Sequence, residues 1–539
     1  MDDVIVLGSG PAGAIAAAEL LEQGRSVHLV HLGHDDTIYR DLIPDAPFST
    51  VRRDVADQSL WWLGADDEGI PTGKVRIGSQ LTPPRQFTVR DTATELPVHG
   101  DSFEPMQSLA LGGLGAAWGA AAYTYTADEL AACGLPPQGF AGHYAAVAER
   151  IGVSGSHDDD TAGACSGQLR ALQPPLDLDS NAQALLSAYR ARGTAKRMRL
   201  GRMPLAILSQ DLGDRRANPY FDMDFWSDVR KSIYRPRYTI EQLRTRAGFV
   251  ETRGVLAVGF DEGQDGLVRL HGVLPDQGHG RVEFAARRLV VCAGALNSAR
   301  LVLAARAQTD LRAPLLCNPY TYMPCLQLRR LGRPAQDRRH SMAQLTGLYA
   351  PPDAPDDLVS LQFYSYRSLL AFKLVKELPL HPWVGLQVVR LLMESLVIVG
   401  VHHSDAPTAD NWLGVARPLG ERAWPLRVHY QPPRQWVERR QQRERAIVAE
   451  LWRLGCIGGA RLRPGHASSI HYAGTIPHLS PGSENRHGLD PHGRLLGTRG
   501  VYVADSAGWG HLPAKGLTLT IMANARRIAL AAAVSLEAA

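Results

Sequence analysis

Short apolar runs open and close this chain, each set beside glycines. Val4 to Leu7 forms the first run; glycines follow, then an alanine-rich stretch to about Gln23, then a second run from Val27 to Leu32. Two strand-length apolar runs around one helix-length segment predict a strand–turn–helix–strand unit. Near the other end, Val501 to Ala504 predicts a short buried strand ending in Asp505, with an apolar helix from about Leu517. Asp410 to Pro433 predicts two strands joined by a polar turn. Val437 to Gly455 predicts a charged helix whose apolar residues gather towards its end, its charge run being a solvated face. Trp383 to Val401 is the most apolar late stretch, but Arg390 and Glu394 interrupt it. A spanning helix needs about 20 nearly uninterrupted apolar residues. The stretch therefore predicts a buried helix running into a strand, with a helix docked on a membrane face as the alternative. Ala350 to Leu358 is a proline-rich loop, either a lid or a connector.

Composition bounds this pattern. With 539 residues the chain exceeds one compact core, so two structural domains are expected, interleaved along the sequence. Its 45% hydrophobic and 21% charged content is that of an ordinary soluble globular protein. The net charge of +4 comes from scattered basic residues with no accompanying motif, which excludes a nucleic-acid partner. The six cysteines contain no C-x-x-C pair, which fits a reducing compartment. The opening MDDVIVLGSG passes from acidic residues straight into a strand, with no signal-peptide pattern, so a cytoplasmic location is expected.

The first unit carries chemistry. Gly8, Gly10 and Gly13 form G-x-G-x-x-G, with Pro11 and Ala12 inside the motif. The first glycine makes the tight turn, the second lets backbone approach a pyrophosphate, and the third lets the helix pack on the strand. The helix N-terminus then points free N–H groups at the phosphates. A dinucleotide site is the reading. The second strand of such units usually ends in an acid that grips the ribose; here the position holds His31, which keeps hydrogen bonding but loses the double acceptor. His466, His471 and His478 are spaced by five and seven, which matches no common metal pattern, so no metal is expected.

Taken together, the two ends resemble the glucose–methanol–choline (GMC) flavoprotein oxidoreductases. The match runs through His471-Tyr-Ala-Gly474-Thr475, Gly493-Arg494, Gly497, Val501-Tyr502-Val503-Ala504-Asp505 and Leu517-Thr-Leu-Thr-Ile-Met522. LALGGLGAAWGAA (109 to 121) resembles the family's glycine loop beside the flavin, which implies cofactor contacts from Gly112, Gly113, Gly115, Trp118 and Gly119. RRLVVCAGALNSARLVLAA (287 to 305) resembles another family element and adds Ala293 and Gly294, with Ala299 in place of the usual proline. GFVETRGVLAVGF (248 to 260) resembles the strand pair beside the adenine and makes Val250 a backbone contact. Asp505, Ser506, Leu517 and Thr518 complete the implied cofactor set.

The resemblance implies an α/β (α+β) fold, with a Rossmann-like FAD-binding domain and a second, sheet-based substrate domain. The FAD domain would comprise residues 1–311, with substrate-site loops at about 40–105 and 170–235, together with 466–539. The substrate domain would be 312–465. The implied reaction is FAD-dependent oxidation of a hydroxyl group of a small molecule, a sugar or secondary metabolite, with oxygen or another electron acceptor. His471 stands at the family's base position; His478 is background. The family's usual Asn or His partner is replaced by Gly516. Lys515, His511, His402 and His403 are candidate substitutes, and only one of the last two can face the flavin, because neighbours on a strand point to opposite faces. The gap at Gly516 keeps a redox-neutral isomerisation or elimination open as the alternative.

Overall fold

The computed structural model describes residues 2–69, 81–100, 102–192, 197–333, 338–365, 379–479 and 487–537. Part of the loop expected at 40–105 therefore lies outside the described residues. Along the chain, β1 (Asp2–Leu7), α1 (Pro11–Glu22) and β2 (Val27–Val30) form the expected opening unit. After β3 (Met198–Arg202) come β4 (Phe249–Thr252), β5 (Leu256–Glu262), β6 (Val268–Leu274), β7 (Gly280–Val291) and α2 (Ala295–Ala305). The next elements are β8 (Tyr320–Gln327), β9 (Leu345–Tyr349), β10 (Val359–Tyr364), α3 (Pro382–Leu392) and β11 (Leu396–His402). The chain closes with α4 (Arg434–Arg453), β12 (Cys456–Ile457), β13 (Val501–Val503) and α5 (Thr518–Ser535).

The first sheet has seven strands in the order β4-β2-β1-β7-β6-β5, with β13 also paired to β7. Its β4, β2, β1, β7 and β13 run parallel. The register aligns Leu7 with Val30 and Val291, and Val291 with Val503, so four strands end level. The four strand-end residues are apolar and almost wholly buried, as a sheet covered on both faces requires. The residues that follow, Gly8, His31, Cys292 and Ala504, are thereby delivered to one edge.

The second sheet orders six strands as β12-β8-β11-β10-β9-β3. Here β3 comes from the interval expected as an inserted loop, so residues 170–235 contribute a substrate-sheet strand. Tyr320 pairs with His402 and His402 with Ser360; Tyr322 pairs with Gly400 and Gly400 with Gln362. The period of two then puts Tyr320, Tyr322, Gln362, Tyr364 and His402 on one face. The opposite face, with Met323, Cys325, Leu361, Val397, Val399 and Val401, packs against Ile447 and Leu451 of α4 in one core cluster. That is the charged helix read from the sequence, and its apolar end is what docks. The predicted strands within 410–433 form as Asn411–Val415 and Leu426–Tyr430.

Two expectations change. The proline-rich 350–358 segment joins β9 to β10, and its Asp353 and Asp357 bond Arg443 on α4, so it is a connector and not a lid. The helix inside 383–401 is not buried. Of α3 only Gly385 and Val389 are buried, while Trp383 is 66% exposed. Apolar content alone does not supply a neighbour to pack on, and this helix lacks one along most of its length.

The opening turn is held by contact. A Cβ built on Gly13 would lie 1.8 Å from the Gly8 carbonyl oxygen, so α1 sits directly on the turn. Gly13→Ala is therefore expected to destabilise the fold by at least about 1–3 kcal/mol, the usual cost of overpacking. An unchanged melting temperature would contradict this.

Candidate active site

The level strand ends open into one elongated cavity of about 330 Å³. Gly8, Gly10, Pro11, Ala12 and His31 line it from the opening unit, and Gly113, Gly115, Trp118 and Gly119 from the second glycine loop. Ala293, Gly294, Asp505, Ser506, Gly516, Leu517, Thr518, His402 and His471 line it as well. Residues separated by nearly the whole chain thus meet in one space.

Gly13 and Gly112 shape the walls without lining them. Gly112 has φ +97° and its N–H donates to Ser9 Oγ at 3.2 Å, strapping the second glycine loop to the first. A Cβ on Gly113 would come within 3.2 Å of Gly10 Cα. Asp505 accepts from Gly294 N–H (2.8 Å), Ser298 Oγ–H (2.5 Å) and Ala507 N–H (2.9 Å), which fixes the loop opening α2. Burial pushes its carboxyl above the usual range.

Four features suit FAD. The cradle of backbone at Gly8 and Gly10 has no side chains in it, and the N-terminus of α5 presents free N–H groups to the cavity. His31 answers the ribose question differently from an acid. Its Nε2 lies 3.0 Å from Glu251 Oε1 on the neighbouring strand, and Arg244 holds the same carboxylate. Burial works against Glu251, but the His31 and Arg244 hydrogen bonds bring it down to about 2. An ionised Glu251 accepts from Nε2–H and burial keeps the ring neutral, so Nδ1 is left as an acceptor, buried and without a partner among the described residues. Such an orphan acceptor fits a hydroxyl donor. Arg300, which the motifs did not single out, is buried in the cavity wall. It donates to the carbonyls of Leu96, Pro97 and Trp424 and to Gln107 Oε1, all neutral. Burial alone pushes it down to about 9, and a dianionic pyrophosphate in the cavity would compensate that charge.

His471 is held by Asn318. The Asn318 amide nitrogen donates to the carbonyls of His403 (2.8 Å), Pro513 (3.1 Å) and Leu512 (3.4 Å), which fixes which end of the amide is oxygen. Its Oδ1 lies 2.9 Å from His471 Nδ1. An amide oxygen only accepts, so Nδ1 carries the proton and Nε2 carries the lone pair. Burial pushes the pKa of this ring down to about 4, so the ring is neutral at neutral pH. His402 stacks on it, with ring centres 5.2 Å apart and planes 19° from parallel. Burial, then the neighbouring His471 and His403, hold His402 well below its usual value. The wall beside them is Tyr320, Tyr322, Gln362 and Tyr364, aromatic and uncharged.

Other candidates are placed elsewhere. Val250 does not line the cavity; it is 46% exposed in β4, paired with His28, and the lining comes instead from Val255, Leu256 and Ala257. β4 and β5 are opposite edges of the sheet, and the chain passes from one to the other through the turn at Gly254. His403 points to the other face of β11, 3.6 Å from Glu444, as strand alternation requires. Lys515 is buried beneath the site, donating to the carbonyls of Thr124 and Ala164 and pairing with Glu129 at 2.5 Å. His511 lies outside the lining. At Gly516 an added Cβ would meet Tyr123 Cδ2 at 3.2 Å, so Tyr123 closely approaches the space a partner side chain would enter. His478 donates from Nδ1 to the Asp490 carbonyl and stays structural. Among the described residues no group of three His, Cys, Asp or Glu side chains is placed to hold a metal, and no helix is long and apolar enough to cross a membrane.

No protein-family model and no curated protein sequence matches the chain. Solved structures do. Pyridoxine 4-oxidase from Mesorbium loti aligns over 98% of this chain and 99% of its own, with a TM-score of 0.59 and 14% identity. A structure addressing how a substitution affects FAD modification in Aspergillus oryzae RIB40 formate oxidase aligns over 100% and 98%, with a TM-score of 0.61 and 11% identity. The chain has the GMC oxidoreductase fold, a Rossmann-like sheet joined to an antiparallel substrate-side sheet.

Fold and binding separate at two neighbouring glycines. A methyl on Gly10 would meet nothing nearer than the Gly112 carbonyl at 3.9 Å. Gly10→Ala should therefore leave the melting temperature of the cofactor-free protein unchanged while weakening FAD binding by at least about tenfold, because backbone approach to the pyrophosphate is blocked. Buried neutral histidines also set a pH dependence. From the ordinary value of 6.5 down to about 4, the unfolded chain takes up a proton that folded His471 refuses. Stability should fall as pH falls through that window. Urea midpoints across it should fall less steeply in His471→Gln.

Proposed function

We propose that the protein is an FAD-dependent oxidoreductase that oxidises a hydroxyl group of an uncharged small molecule, with His471 as the base. The observation that carries this reading is the tautomer of His471, which leaves an accepting Nε2 on a ring in the cavity wall. FAD, when bound, supplies the hydride acceptor. The glycine turn, His31 and Arg300 would hold it, and the N–H groups at the start of α5 suit the isoalloxazine edge that becomes negative on reduction.

His471 Nε2 takes the hydroxyl proton of the substrate. Burial opposes a positive charge on this ring, so proton uptake is favoured only as negative charge grows on the substrate oxygen. Asn318 stabilises the resulting cation, since its carbonyl oxygen still accepts from Nδ1–H. His402, a neutral imidazole stacked beside the base, is the side chain we assign to the partner role that Gly516 cannot fill. A second ring nitrogen beside the base supports net oxidation over a redox-neutral reaction. The wall of Tyr320, Tyr322, Gln362 and Tyr364 has no charged group to pair with a carboxylate or ammonium, and burying such a charge unpaired is costly. A neutral sugar or secondary metabolite fits that wall. Both fold relatives are oxidases by name, which supports oxygen as the electron acceptor.

His471→Ala should slow anaerobic flavin reduction by about 10²-fold or more, the usual scale of general-base loss. Asn318→Ala frees Nδ1 and lets the proton move between the ring nitrogens, so it should also slow reduction, by about tenfold. In the wild type the rate should rise with pH through the His471 pKa, near 4, and stay flat above it, because only the neutral ring accepts a proton. Stopped-flow absorbance against a panel of alcohols and glycosides measures all three. A colourless protein that takes up no FAD would overturn the reading.

A further inference from the structure

We propose that α3 and the turn after β8 form a docking surface for an anionic phospholipid bilayer. Leu328, Leu331, Trp383, Leu386 and Leu391 are large apolar side chains between 43% and 66% exposed. They come from two segments that touch: Gly332 N–H donates to the Leu391 carbonyl at 3.4 Å, and a Cβ on Gly332 would lie 3.6 Å from Leu391 Cδ1. Exposed apolar side chains scattered singly need no explanation, but a cluster on one helix and its neighbouring turn does.

Among the described residues, the exposed charges that these two segments carry are of one sign. Arg329, Arg333 and Arg390 are exposed beside it. Neither Leu328–Arg333 nor Leu380–Met393 contains an Asp or Glu. Among the described residues the nearest acid along the chain, Glu394, is buried and bonded by Arg339. An apolar helix face carrying tryptophan, rimmed by arginine and free of carboxylates, has the composition of a helix lying in a bilayer interface. A second copy of this chain is the poorer occupant. A twofold contact places the same patch on both subunits, so arginines would face arginines, and neither segment of the patch carries a carboxylate to pair them. An anionic headgroup layer supplies the missing charge, and the acyl boundary takes the leucines and the indole.

The test uses the full chain and two vesicle compositions, pure phosphatidylcholine and three parts phosphatidylcholine to one part phosphatidylglycerol. The wild type should co-sediment with the anionic vesicles, bind pure phosphatidylcholine less, and release in about half-molar salt. The double variant Trp383→Ala/Leu391→Glu alters only exposed side chains, so its melting temperature should hold while binding falls more than tenfold. Trp383→Phe provides a milder check: the blue shift of tryptophan emission on adding anionic vesicles should shrink in that variant. Absence of co-sedimentation overturns the proposal, as does binding that the double variant leaves intact. A wild-type dimer that the double variant converts to monomer also overturns it, making the face a subunit interface.

Discussion

Parallel pairing of β1 with β2 on one side and β7 on the other is the constraint on which the rest depends. Because the register aligns Leu7, Val30, Val291 and Val503, the segments after four strands leave the sheet at one level. The glycine turn, His31, the Ala293–Gly294 loop and Asp505 are neighbours for that reason alone. A slip in one pairing would move its loop by a strand step of about 3.3 Å, enough to open the cradle.

The second sheet divides its labour by face. One face of β8, β10 and β11 is a hydrophobic core closed by α4; the other is the aromatic wall of the cavity. The period of two therefore settles His402 against His403 without further help. The cavity accordingly has two kinds of wall: backbone turns that follow the first sheet, and side chains that stand on the second.

Much of this was legible in the sequence. G-x-G-x-x-G at residue 8 and the strand ending in Asp505 each depend on local spacing, which a sequence displays directly, and His471, singled out by the family resemblance, does line the cavity. Asn318 was not legible, because nothing in its own neighbourhood marks it; its role comes from three carbonyls and one imidazole contributed by distant segments. The same holds for Arg300 and for the pairing of His31 with Glu251. In β8 the alternation of Tyr320 and Tyr322 was visible, but which face met the cavity depended on β11 and α4. Trp383 to Leu392 was misjudged because apolar composition reports what a helix would like to bury, and the fold provides little to bury it against.

Tyr123 limits what position 516 can accept. Its ring crowds the Cβ position of Gly516, and its hydroxyl is 2.8 Å from Thr346 Oγ1, which holds it in place. A side chain at position 516 would therefore need the Tyr123 ring to give by a few tenths of an ångström against the hydrogen bond that anchors it, so the two positions are energetically coupled.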